Sequence, residues 1–273
     1  MAISGFPIYL STMLLERNRW NGKGPSLLVS DWMEPIAEAG FAGVEIWMPH
    51  LLFASRSEWE LIKEKSRESD LLLAHISAAV PADGSDKSQR MREAILEACD
   101  YFRPDGLKFS LGGEARSKGA AAEAAALEFL KSWIGDVQRD VGLLHDPGLD
   151  SAPSNLAKAK KTLGGGRSKG VLHPFGMTPA DVEAAMALSG DFLSAMGVQA
   201  RREDQWCLLS EKSEDSLRTI DTLRKRGFKG TWSLELTKGA GGAGESIDKL
   251  FDNAEKDLNF LLEALAGAHR EKS

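Results

Sequence analysis

Histidines and carboxylates placed at the ends of short apolar runs are the residues of this chain best suited to chemistry. Imidazole and carboxylate groups bind divalent metals and move protons near neutral pH. The chain holds five histidines. His75, His145 and His173 fall within or at the end of runs that read as strands, His50 directly follows another such run, and only His269 sits in a tail. Singly, each reads as a satisfied polar residue at the rim of a fold. Taken with Glu235, which closes the run Thr231-Trp232-Ser233-Leu234-Glu235, they read as a site. His145, His173 and Glu235 are the trio that spacing would bring to one metal ion or substrate.

Two further charged residues stand inside apolar runs. Glu45 is embedded in Gly43-Val44-Glu45-Ile46-Trp47-Met48, and a carboxylate there needs a partner or a function, because burying it unpaired is costly. Lys108, in Gly106-Leu107-Lys108-Phe109-Ser110-Leu111, is either that partner or a cation for an anionic substrate or a developing enolate. The segment 199–206 combines Gln199, Arg201 and Trp206, and reads either as a substrate clamp or as a solvated charged loop. Seven tryptophans are present; Trp20, Trp47 and Trp206 are placed to stack on a sugar face, although most tryptophans are packing residues.

The elements that must position these residues alternate. Runs at 6–11, 43–47, 71–76, 106–111, 141–145, 170–173, 191–198 and 231–236 have strand character. Between them, 26–39, 55–69, 85–102, 119–140, 154–163, 178–188, 214–226 and 245–268 read as helices. Ser55 is an N-cap signal, and Thr178-Pro179 places proline at the tolerated first helical position. Alternation of this kind requires parallel strands joined by right-handed helical crossovers. Eight such units close into an α/β fold, the (β/α)8 TIM barrel, here a single domain over residues 1–273. An open doubly wound sheet is the competing arrangement, and no glycine-rich phosphate loop follows the first strand to favour it. In a barrel, Glu45, His75, Lys108, His145, His173, Gln199 and Glu235 would converge on one mouth.

Composition sets the wider limits. Hydrophobic residues make up 42% and charged residues 27% of 273, ordinary for a globular protein with a substantial core. A net charge of −6 argues against nucleic acid or an anionic membrane as partner. Cys99 and Cys207 form no CxxC pair, and no apolar run approaches a membrane span, so the expected setting is cytoplasmic. A small-molecule partner, with room for a homo-oligomer, is the expectation.

The segments Ala37-Glu38-Ala39-Gly40-Phe41-Ala42-Gly43-Val44-Glu45-Ile46, Leu107-Lys108-Phe109-Ser110-Leu111-Gly112 and 225–235 resemble the xylose-isomerase-like barrel superfamily of sugar (phosphate) isomerases and epimerases. The likeness is spread over almost the whole chain. It implies proton abstraction next to a carbonyl of a carbohydrate or polyol-derived substrate, in isomerisation, epimerisation or dehydration. It also implies a divalent ion held by glutamate, aspartate, histidine and glutamate on strands five to eight. Of these the chain keeps Glu235. Leu144 or His145 stands at the strand-five position, His173 at the aspartate's, and Gln199 near the histidine's.

The resemblance therefore leads to an enzyme with Glu235, His145, His173 and Lys108 as catalytic groups. Glu45, His75, Gln199, Arg201 and Trp206 would line the substrate. Manganese, zinc or cobalt on His145, His173 and Glu235, or no metal at all, are the two forms of that site. The competing expectation is a catalytically silent barrel that binds sugar or serves assembly. A metal-dependent nuclease would need a richer cluster of ligands and a basic groove.

Overall fold

Strand and helix alternate along the chain as the sequence pattern predicts, and the sheet closes. The computed structural model describes residues 6–19, 24–81, 85–111, 120–137, 140–146, 153–163, 168–241 and 244–267. The barrel strands are β1 (Ile8–Ser11), β2 (Gly43–Trp47), β3 (Leu72–Val80), β4 (Gly106–Leu111), β5 (Gly142–His145), β6 (Ser168–Leu172), β7 (Leu193–Val198) and β10 (Thr231–Leu234). They pair in sequence order, all parallel, and β10 returns to β1 through Ile8↔Trp232, Tyr9↔Ser233 and Leu10↔Leu234. Between β7 and β10 lies a separate antiparallel hairpin, β8 (Ala200–Arg202) with β9 (Gln205–Cys207).

Helix boundaries follow local chemistry. Ser55, Ser85, Thr178 and Ser246 each accept a hydrogen bond from the backbone N–H three residues on, satisfying a donor the helix cannot satisfy itself. The helix expected over 26–39 is shorter: a 3-10 turn (Val29–Trp32) leads into an α-helix at Met33–Glu38. Pro35 accounts for this, since it fits only the first turn of an α-helix. His50, which follows the second strand as expected, belongs to a short helix (Met48–Leu52) with Pro49 in its first turn. The third strand runs further than expected, to Val80, and the seventh begins only after a 3-10 turn at Gly190–Phe192. The segment 199–206, read as either a substrate clamp or a solvated charged loop, leads into and forms most of the β8–β9 hairpin.

Two layers of burial result. The main apolar core lies between strands and helices and includes Phe109, Leu143 and Leu172. A small separate cluster, Leu144, Val171 and Ala195, fills the inside of the barrel. Side chains alternate between these layers along each strand. Among the described residues no helix is long and apolar enough to cross a membrane.

Candidate active site

Glu45 and Lys108 lie on β2 and β4, and His173 and Glu235 directly follow β6 and β10, the second, fourth, sixth and eighth strands around the barrel. Alternate strands of such a barrel contribute side chains to a common layer. Here that layer is charged. Lys108 Nζ lies 2.7 Å from Glu45 Oε1 and 2.7 Å from Glu235 Oε1. Glu235 Oε2 in turn lies 3.5 Å from His173 Nδ1. Negative and positive groups alternate along the chain of contacts, which is how buried charges offset their desolvation.

Residues from neighbouring strands complete the network. His173 Nε2 is 2.9 Å from Oδ1 of Asp146, the first residue past β5. Gln199, the first residue past β7, places its amide nitrogen 2.8 Å from His173 Nδ1. Ser233 donates to Glu45 Oε2 at 3.0 Å, and His75 Nδ1 stands 3.6 Å from that same oxygen. Tyr9 meets the His75 ring edge-on, with centroids 5.3 Å apart. The ladder register shifts between Val44 and Glu45, and bulges of this kind re-aim side chains next to active sites. Glu45 is fully buried, and His75, Lys108, His173, Gln199 and Glu235 are each buried as well.

The network sets the charges. Burial pushes the Glu45 carboxyl up, but the Lys108 ammonium and the His75 ring outweigh it and hold Glu45 well below the usual carboxylate range. Burial also works against the charge on Lys108; Glu235 and Glu45 reverse that and raise it above its ordinary value. For His173, burial is outweighed by Glu235 and Asp146, which raise the ring to about 9. Glu235 goes the other way: burial raises it, and His173 and Lys108 only partly compensate. The site thus pairs an imidazolium with a carboxylate whose proton affinity is increased. Gln199 fits this state once its amide is turned over. Its Oε1 has no other hydrogen-bond partner and would then accept from His173 Nδ1–H.

The structure gathers five of the sequence-predicted residues around Glu235: Glu45, His75, Lys108, His173 and Gln199. His145 lies elsewhere. Lys108 and Leu144 are register partners, and Leu144 belongs to the cluster inside the barrel. The next residue, His145, is partner to Phe109 and meets its ring at 5.5 Å, on the helix-facing side. Asp146 follows and faces inward again, so Asp146 stands beside His173 where His145 was expected. Arg201 is exposed and lies 4.7 Å over the Trp206 ring, as cross-strand partners of the hairpin. His50 bonds Glu16 Oε2 through Nε2 at 2.9 Å and Thr12 Oγ1 through Nδ1 at 2.8 Å, a buried bracket joining the ends of β1 and β2. Trp20 and His269 lie outside the described residues. Sequence reasoning passed over Asp146 and Ser233; the inward parity of Lys108 carried across to strand five is the signal that finds Asp146.

Asp146, His173 and Glu235 each bring one ligand atom within 4.8 Å of the other two, a spacing that a divalent ion can bridge. The donor chemistry fits less well. Both ring nitrogens of His173 already face partners, and Glu235 Oε1 is held by an ammonium. A metal ligand must instead be a neutral imidazole or a carboxylate with a free lone pair. The residues present therefore do not form a ready site for a divalent ion.

No protein-family model and no curated protein matches the chain. Solved structures do match in shape. The probable 3-DHS dehydratase AsbF of Bacillus anthracis aligns with a TM-score of 0.68 at 13% identity, covering 93% of this chain and 99% of that one. D-psicose 3-epimerase of Clostridium cellulolyticum H10, solved with D-tagatose, aligns at 0.67 and 12%, covering 95% and 99%. A xylose isomerase-like TIM barrel protein of Mycobacterium smegmatis, solved with magnesium, aligns at 0.64 and 14%, covering 95% and 98%. At these identities the likeness is one of fold.

Proposed function

We propose that this chain, whose fold is the xylose-isomerase-like (β/α)8 barrel, is an isomerase- or epimerase-like enzyme. Its substrate is a carbohydrate or polyol-derived carbonyl compound, and its chemistry is proton abstraction next to the carbonyl. One observation carries the reading. Glu235, its proton affinity raised by burial, lies within 3.5 Å of His173 and 2.7 Å of Lys108, so a base and two cations meet at one point.

In this reading Glu235 takes the proton from carbon through Oε2, the oxygen not bonded to Lys108. The electron pair moves onto the carbonyl oxygen, where the nearby cations stabilise it. His173 contributes as an imidazolium facing Glu235, with Asp146 and Gln199 fixing its ring. Returning a proton to the same carbon, to its neighbour, or expelling a neighbouring hydroxyl gives epimerisation, isomerisation or dehydration. Dehydration proceeds without redox change, as the other two do. Glu45 positions Lys108, and Arg201 with Trp206 offers a cationic and aromatic edge to the hydroxyl face of a sugar.

The test is exchange of carbon-bound hydrogen. Incubating aldoses, ketoses and polyol-derived keto acids with the protein in D2O should place deuterium on substrate carbon, and Glu235→Gln should abolish it. A folded protein that is stabilised by a sugar yet exchanges no hydrogen across the panel overturns the enzyme reading in favour of a binding barrel.

A further inference from the structure

Lys108 occupies an unusual place for a barrel lysine. Its ammonium bridges two carboxylates from β2 and the end of β10, the two strands that flank β1, at 2.7 Å each, and the residue is buried. An ammonium carries three N–H donors; one is donated to Glu235 Oε1, and a second side of the group is taken up by the ion-pair contact with Glu45 Oε1. The third remains for an oxygen on a ligand. A positive centre that holds the catalytic carboxylate and offers one further contact to substrate oxygen performs the electrostatic work of a divalent ion.

The surroundings leave little room for both. His173 Nε2 is committed to Asp146 Oδ1 at 2.9 Å, and Nδ1 faces Gln199 and Glu235. The ring cannot swing aside on the β7 flank. A Cβ on Gly197 would overlap the His173 ring and sit 2.5 Å from Glu235 Oε1, so backbone is already packed against both groups. A dication bridging Asp146, His173 and Glu235 would displace these contacts and sit beside an existing cation. Like charges at such separations in a dry interior repel strongly.

We propose that Lys108 replaces a divalent ion in this barrel. Its third N–H holds the substrate carbonyl oxygen while Glu235 takes the carbon-bound proton, and the ammonium excludes metal from the carboxylates. This rests on the enzyme reading above for its chemical step, but the exclusion of metal stands on the ion pairs alone. The step balances without a redox partner: the C–H bond breaks, its proton passes to Glu235, and its electron pair forms the enolate held at Lys108.

Cobalt tests it, because protein-bound Co2+ reports its coordination by visible absorption. Wild-type protein titrated with Co2+ and then dialysed should develop no ligand-field band and retain no cobalt on elemental analysis. Lys108→Met, which leaves Glu45 and Glu235 without their shared cation, should take up Co2+ and gain thermal stability from it. Lys108→Arg, keeping the charge, should behave like wild type. Stoichiometric cobalt in wild type, displaced by zinc, overturns the proposal and leaves the enzyme reading intact. A folded Lys108→Met variant that takes up no cobalt overturns it too. Should that variant not fold, the wild-type titration decides alone. Absence of hydrogen exchange in wild type overturns the enzyme reading and leaves the metal result standing.

Discussion

Gly197 on β7 lies directly against the imidazole of His173, so that the space where a side chain would begin is already filled by the ring and by Glu235 Oε1. Glycine is required here by close approach and not by backbone angle. Gly197→Ala should force His173 or Glu235 out of place. Overpacking of this kind costs about 1–3 kcal/mol. Thermal unfolding should show a lower Tm, and the loss of turnover should exceed what that drop accounts for. An alanine variant with unchanged turnover would show that the ring's position does not matter.

Glu235→Gln keeps the shape and removes the base. General acid–base groups contribute about 10²–10⁴-fold to rate, and a loss in that range is expected. Lys108 keeps its bond to Glu45, so the variant should remain folded by circular dichroism. Deuterium exchange and thermal melting on the same sample separate the two effects.

The raised His173 proton affinity gives a pH limit with a definite sign. A group whose folded value, about 9, lies above its ordinary 6.5 stabilises the fold fully below pH 6.5. That stabilisation fades as pH rises through about 9. As a cation of the site His173 must also be protonated, so kcat/KM should fall on the alkaline side near the same value. Asp146→Asn removes one of the carboxylates that raise it, and should move both the activity limb and the ring's NMR titration to lower pH.

Asp257 makes an independent, structural case. It is buried where it accepts from the Leu209 N–H at 2.8 Å and from Thr237 Oγ1 at 2.6 Å. Burial pushes its carboxyl up to about 6, against an ordinary 3.8. The fold therefore favours the neutral form, and that contribution is lost as pH rises through about 6. Asp257→Asn stays neutral throughout and can still accept from Leu209. Its stability relative to wild type should improve between pH 4 and pH 7 by on the order of 2 kcal/mol. A difference that does not change with pH would contradict this.

The barrel was legible in the sequence because its signal is long-range: alternation repeated eight times leaves few other ways to join the strands. Glu45, Lys108, His173 and Glu235 were legible for a different reason, since charge inside an apolar run needs a partner. The parity of β5 was not. Strands buried on both faces read as continuous apolar runs, and Leu143-Leu144 gives no clue to which residue points inward. A slip of one residue exchanges His145 for Asp146. Asp146 was further hidden because Asp-Pro-Gly is a strong turn signal, which draws the reading away from a site.

The pairing of β1 with β10 has a consequence for how the protein comes into being. During synthesis the ribosome delivers the seven earlier barrel strands before β10, so a nascent chain at that stage has two open edges. It also carries a buried lysine with only one of its two carboxylates. The same short strand that seals the edges brings Glu235 at its end. Closure of the fold and assembly of the site are thus one event, and an incompletely made chain can have neither.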